Sequence, residues 1–289
     1  MNRFAMRLGA ALFALAIALP SAARAQSADR VVLGYEISIA GFHVIDFDLA
    51  IAIDDRAYDV STTFRTHGVF DWFVSWHSVS QSLGRVKNGK VKPERYEALG
   101  TFRGNRREVR FNYRDGAIGG IELVPPLGED NDREPVTAAE MGDAQDPAAM
   151  LYALIRRVSA GQTCTGVVPV FDGRRRFDLE FVERGVERVE AWRTGAFEGD
   201  ARRCDFTFRI VAGFMRNVSG GVDRQREPRL GRTWLAPVVP GKPLAPVRIE
   251  VENSNWGLTI ARLRPVGSAA MTCEVPAPAP EISAAQPQC

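Results

Sequence analysis

The chain is poor in the residues from which catalytic and metal centres are usually built. It has three histidines in 289 residues, His43, His67 and His77. None of them sits in an H-E-x-x-H helix or follows a nucleophile elbow. No glycine-rich loop leads into a helix, so the usual phosphate cradle is missing. The four cysteines, Cys164, Cys204, Cys273 and Cys289, include no closely spaced pair, which argues against a zinc site. Lysine is scarce too: Lys87, Lys90, Lys92 and Lys242 are the only lysines among 37 basic residues. The arginines that replace them are spread along the chain, which reads as coding bias and not as an anion-recognition surface. Asp71, Ser75 and His77 are close in sequence, but a triad is a spatial arrangement, so they read as ordinary loop and strand residues. No catalytic residue, metal or cofactor is assigned, and a hydrolase is the last of three functional readings.

The first 25 residues are different in kind. Arg3 and Arg7 precede an apolar run from Leu8 to Leu19, and Ser21-Ala22-Ala23-Arg24-Ala25 supplies the small residues of a signal-peptidase site. The run is shorter than the roughly 20 residues a spanning helix needs. The pattern predicts cleavage after Ala25 and release into the periplasm. No cysteine near the cut offers a lipoprotein anchor, and no later segment reads as a membrane span. Losing Arg3, Arg7 and Arg24 leaves 34 basic residues against 35 acidic ones, so the mature chain is near neutral and unsuited to nucleic-acid binding as its main task. An oxidising compartment also suits the cysteines. Cys164 and Cys204 each flank a predicted strand and are paired here. Cys273 and Cys289, in a Pro- and Ala-rich tail, are left to pair with each other.

From Val31 the chain alternates apolar and polar residues. Val31, Leu33, Tyr35, Ile37 and Ile39 form one set, and Gly41 ends it. Ile45 to Ile53 and Tyr58 to Thr66 repeat the period, which predicts strands with one buried face. Asn88-Gly89, Asp115-Gly116 and Asp172-Gly173 are hairpin turns by composition. Further strands are expected near 94–102, 107–113, 167–171, 175–182, 188–194, 205–211, 247–252 and 258–263. Asp146-Pro147 opens the one clear helix, with Asp146 as N-cap, Met150, Leu151, Leu154, Ile155 and Val158 as its apolar face, and Gly161 as its end. The acidic segment 125–145 before it is expected to be a mobile loop. The expected fold is mainly β: a large curled antiparallel sheet or open barrel with one central helix against its concave face. Residues 1–25 are assigned to the signal peptide, 26–265 to a single β-rich domain and 266–289 to a flexible tail.

Two clusters are candidate binding residues. Trp72, Phe73 and Trp76, with Phe70, lie in an aromatic stretch at 68–76. They are read first as a plug filling one end of the barrel, and alternatively as a lid over an apolar cavity or a membrane-touching rim. Arg174, Arg175 and Arg176 lie at a hairpin tip, where solvated charges are the plain reading and an anion or headgroup contact is the functional one. Asp46 and Asp48 read first as the solvated polar face of a strand, with cation binding as the alternative.

Several short motifs carry a resemblance. They are Tyr35-Glu36-Ile37 with Gly41, Lys92-Pro93-Glu94-Arg95-Tyr96, Asp146-Pro147, Phe171-Asp172-Gly173-Arg174-Arg175, Cys204 with Ile210-Val211-Ala212-Gly213-Phe214, and Pro246-Val247-Arg248-Ile249. In this order the chain from Val31 to Pro265 resembles the domain-of-unknown-function 3108 family of exported bacterial proteins. One departure is Ala148-Ala149, where many members are expected to have Leu-Ser. The resemblance implies an exported β-rich domain without an assigned activity, and it supplies no catalytic residues. The leading functional reading is a carrier of an apolar or amphipathic envelope molecule in a cavity enclosed by the sheet. The second is an assembly or structural factor that binds another envelope protein.

Overall fold

The alternating segments fold into thirteen strands. A computed structural model describes residues 29–53, 56–126, 133–216, 221–253 and 257–266. The segment expected to be a signal peptide, Asp54-Asp55, Cys273, Cys289 and residues 267–289 lie outside the described residues. In chain order the strands are β1 (Asp29–Ile39), β2 (Phe42–Ile53), β3 (Ala57–Thr66), β4 (Trp76–Lys87), β5 (Lys90–Phe102), β6 (Asn105–Arg114), β7 (Ala117–Val124), β8 (Gly166–Phe171), β9 (Arg176–Val189), β10 (Gly199–Ala212), β11 (Arg229–Ala236), β12 (Ala245–Asn253) and β13 (Gly257–Leu263). A 3₁₀ turn spans Gly68–Trp72, and the helices are α1 (Ala138–Met141), α2 (Pro147–Ser159) and α3 (Gly221–Arg226). All strands join one antiparallel sheet in the order β7-β6-β5-β4-β3-β2-β1-β13-β12-β11-β10-β9-β8. The turns work as their residues dictate. Asn88 and Asp115 take positive φ before Gly89 and Gly116, the backbone a two-residue hairpin needs.

The inner face of the curl is filled. Val31, Leu33, Tyr35, Leu49, Ile51 and Val60 point inward from β1–β3, and Phe177, Leu179 and Phe181 from β9. α2 lies against them, burying Ala148, Ala149, Tyr152, Ile155 and Val158. Ile155 and Val158 are buried as the sequence predicts, but Met150, Leu151 and Leu154 are only partly buried, and Tyr152 with Ala148 and Ala149 completes the buried face. The ring of Tyr152 stacks on Tyr58 of β3 with centroids 4.9 Å apart. Cavities among the described residues include small ones of about 20 Å³ beside α2 and about 10 Å³ beside Trp192. A small-molecule site normally needs roughly 300 Å³ or more.

The edge strands β7 and β8 do not pair, yet the sheet curls until they approach. Phe111 of β6 meets Phe171 of β8 with ring centroids 5.6 Å apart. At the β8–β9 turn the Arg174 guanidinium donates to the carbonyls of Val124 and Pro125, each at 3.0 Å. Residues 133–145 do not behave as the expected free loop. Thr137 and Glu140 form a capping box on α1, Met141 and Ala144 are buried, and Gln145 bridges β8 at Val170. They cover the seam. The strand expected at 188–194 is the end of β9 followed by a loop, because β9 runs unbroken from Arg176 to Val189. Cys164, just before β8, is bonded to Cys204 of β10. The bond closes a separation of 40 residues, which contributes about 4 kcal/mol in the chain-entropy account.

Candidate functional site

The chemistry-bearing side chains fall into four places. The first is the aromatic stretch between β3 and β4. Trp72 is 86% exposed and Phe73 75%, so neither plugs the barrel. The 3₁₀ turn that carries them is held by the bonds from Phe70 N–H to His67 O and from Phe73 N–H to Phe70 O, and both rings face outward from it. Val69 (55% exposed) and Phe42 (66%), on the neighbouring β1–β2 turn, extend the apolar surface. Phe42 packs edge-on to Phe70 at 6.3 Å, which joins the two turns. Trp76 plays another part: it opens β4 half-buried and stacks on Phe64 at 5.3 Å. Arg103, exposed on the β5–β6 turn, adjoins the patch through its N–H to Ser75 O, 2.7 Å.

The second place is the arginine hairpin. Its guanidinium groups are largely engaged within the fold. Arg174 latches the β7 end, Arg175 pairs with Asp172 at 2.7 Å, and Arg176 with Asp178 at 2.8 Å. Burial alone would raise the Asp172 pKa. Arg175 and the N–H groups of Arg174 and Arg175 outweigh it and hold the carboxyl below the usual range.

The third is a buried polar chain at the start of α2. Asp146 caps the helix through Ala149 N–H (2.8 Å) and accepts from Ser82 Oγ (2.9 Å) and Tyr113 Oη (3.1 Å). Tyr113 Oη also accepts from the Asp146 N–H at 2.6 Å. Tyr58 Oη lies 3.1 Å from Ser82 Oγ and extends the chain. Burial pushes the Asp146 carboxyl up to about 6 against these bonds.

The fourth gathers His43, Asp46 and His67 on the sheet's outer face. His43 and Asp46 lie three residues apart on β2, and only His67, after β3, is brought to them by the fold. His77 lies 3.7 Å from Asp71. Neither His67 nor His77 lines the two cavities beside α2 and Trp192, so the hydrolase reading gains no pocket there.

The family model for a protein of unknown function, DUF3108, matches residues 34–261. The chain belongs to that family. The match spans β1 to β13 and so includes both sheet edges, the seam and all four clusters. No curated protein sequence matches the chain. Among solved structures, a β-barrel-like protein of the DUF1849 domain of unknown function from Brucella abortus is 13% identical, with a TM-score of 0.44 over 81% of this chain and 94% of that one. A protein described as a candidate lipoprotein from Parabacteroides distasonis is 10% identical, with a TM-score of 0.32 over 82% and 94%. Neither likeness bears on function. Among the described residues no helix is long and apolar enough to cross a membrane.

Proposed function

We propose that this DUF3108 protein is exported to the periplasm and binds the lipid surface of an envelope membrane through the rim formed by Phe42, Val69, Trp72 and Phe73. The observation that carries the reading is the outward exposure of those four side chains on two adjoining turns. Solvent-facing Trp and Phe at a protruding tip are costly in water and suited to the zone between headgroups and acyl chains. Arg103 on the adjoining β5–β6 turn, its backbone bonded to Ser75 and its guanidinium over the Phe102 ring, adds a positive charge on the same side that would attract anionic headgroups. The carrier reading is narrowed by the same structure. With α2 and the strand side chains filling the interior, the amphipathic molecule is met at the surface and not enclosed.

The test is co-sedimentation of the mature protein with vesicles of phosphatidylethanolamine and phosphatidylglycerol. Withdrawing two large rings from the interface should cost at least about 3 kcal/mol, so Trp72→Ala with Phe73→Ala is expected to weaken binding by roughly a hundredfold. Equal binding by the wild type and the double variant would overturn the proposal. Photo-crosslinking from position 72 to a protein in whole cells, without vesicle binding, would transfer the rim to the assembly reading. Export is checked separately: N-terminal sequencing of the periplasmic fraction should begin at Gln26.

A further inference from the structure

Glu36, His43, Asp46 and His67 converge on the outer face of β1–β3, away from the core, and the membrane reading uses none of them. Their convergence follows from the register. Glu36 lies opposite Asp46 across the β1–β2 pair, and a register shift after Ile37 re-aims the end of the hairpin that carries His43. His67 follows β3 and donates its backbone N–H to Val44 O at 2.8 Å, which holds it beside β2. The two imidazoles stack with centroids 3.7 Å apart and planes 15° from parallel. Asp46 reaches both: one carboxylate oxygen lies 2.9 Å from His67 Nδ1 and the other 3.1 Å from His43 Nε2. His43 Nε2 has essentially no exposed surface and no hydrogen bond, despite that short separation. The ring is in reach of the carboxylate without being aimed at it as a donor. On its other side, His43 Nδ1 faces Glu36 Oε2 at 3.8 Å, and Arg193 stands 3.5 Å from the same oxygen.

We propose that His43 Nε2, His67 Nδ1 and the Asp46 carboxylate form a binding site for a divalent transition-metal ion of the zinc type. Two imidazole nitrogens and one carboxylate are a zinc donor set that leaves a fourth position open. Ligand atoms each about 2 Å from a tetrahedral ion stand about 3.3 Å apart. The two oxygen–nitrogen separations of 2.9 and 3.1 Å fall short of that by a few tenths of an ångström, and binding also requires the stacked rings, 15° from parallel, to turn about their side-chain torsions until both nitrogens face one ion. Glu36 stands behind the ligands, 3.8 Å from His43 Nδ1, where its negative charge favours the tautomer that carries the proton on Nδ1 and leaves Nε2 free for metal. Nitrogen donors disfavour calcium and magnesium, which take oxygen. Asp48 is neutralised by Arg264 (2.5 Å) and Arg65 (3.3 Å), so Asp46 is the carboxylate left facing the rings. Arg264 also stands 3.9 Å from Asp46, and that positive charge limits affinity to a moderate range. The proposal stands or falls independently of lipid binding.

The experiment is a zinc titration of the mature protein, produced without a polyhistidine tag, against a competing chromophoric chelator. One equivalent is expected to bind. Replacing His43, His67 or Asp46 by His43→Gln, His67→Gln or Asp46→Asn should weaken that binding by about tenfold or more, while His77→Gln leaves it unchanged. The same preparations are loaded with cobalt, whose visible bands report nitrogen and oxygen ligation and should vanish in the His43→Gln/His67→Gln double variant. Both histidines stand on the outer face, so circular dichroism should find these variants folded. If one folds poorly, histidine ring nitrogen shifts on zinc addition to the wild-type protein decide the matter: shifts at His43 and His67 support the site. Absence of binding, or one equivalent bound equally well by the double variant, would overturn it.

Discussion

Replacing Asp146 by alanine is expected to cost about 3 kcal/mol of stability. The figure follows from the three donors that the carboxylate satisfies. Loss of the helix cap to Ala149 N–H accounts for about 1 kcal/mol. Leaving the buried Ser82 and Tyr113 hydroxyls without their acceptor accounts for about 1 kcal/mol each. Asparagine keeps the cap and most of the shape, so Asp146→Asn should lie within about 1 kcal/mol of wild type at neutral pH. The two proteins should then diverge with acid. Burial raises the folded-state pKa of Asp146 from 3.8 to about 6, so the folded protein holds this proton more tightly than the unfolded chain does. Stability from this group is therefore greatest below pH 3.8 and falls as pH rises towards 6. Between pH 7 and pH 4 the wild type should gain up to about 3 kcal/mol relative to Asp146→Asn, since each pKa unit is about 1.4 kcal/mol. Carboxylates with lowered pKa values, such as Asp205 and Glu183, give slopes of the opposite sign, but they are shared by both proteins and cancel in the difference. Urea unfolding at several pH values, followed by tryptophan fluorescence, measures it. Parallel curves for wild type and Asp146→Asn would refute the reasoning, as would an alanine variant that loses less than about 1 kcal/mol.

Two further outcomes concern the seam and the disulfide. A Cβ at Gly173 would overlap the Val109 side chain, and the φ of +94° disfavours any L side chain. Gly173→Ala is expected to cost about 2–3 kcal/mol and to raise amide exchange in β6–β8, with partial recovery on adding Val109→Ala; unchanged exchange at those strands would count against the seam. Replacing Cys164 and Cys204 by serine should lower the unfolding free energy by about 4 kcal/mol, read from the urea midpoint. Mapped free thiols at both positions in the native protein would contradict the bond itself.

Much of the sheet could be read from residue order. The alternation of β1 to β3 survives because each strand keeps one mainly apolar face, with Thr62 of β3 a buried polar exception. Asp146-Pro147 and Asp172-Gly173 act locally, so their roles as cap and turn needed no tertiary information. β4 was harder to see because its inward positions include Ser82 and Gly84, small residues that lie against Asp146 and the Tyr58 ring. β7 is an edge strand with Gly119 and Gly120, and it lacks a buried face to mark it. The aromatic stretch misled for a related reason: apolar residues usually pack, and composition does not reveal that a 3₁₀ turn points Trp72 and Phe73 outward. The histidine cluster was hard to see, because His67 and Glu36 reach His43 and Asp46 only through cross-strand register, and a register shift brings His43 and Asp46 to one face.

The order of the strands has a consequence for how the chain can assemble. β1 and β13 are neighbours in the middle of the sheet, with Tyr35 opposite Leu263, so the first strand finds one of its two partners only in the last. Until that strand arrives, β1 and β12 are both open edges able to template foreign strands. The contact spans more than 200 residues, a loop closure that favours slow, late completion. A chain arranged in this way stays unfinished for as long as it is still emerging, and its native state is a property of the whole polypeptide and not of any growing part.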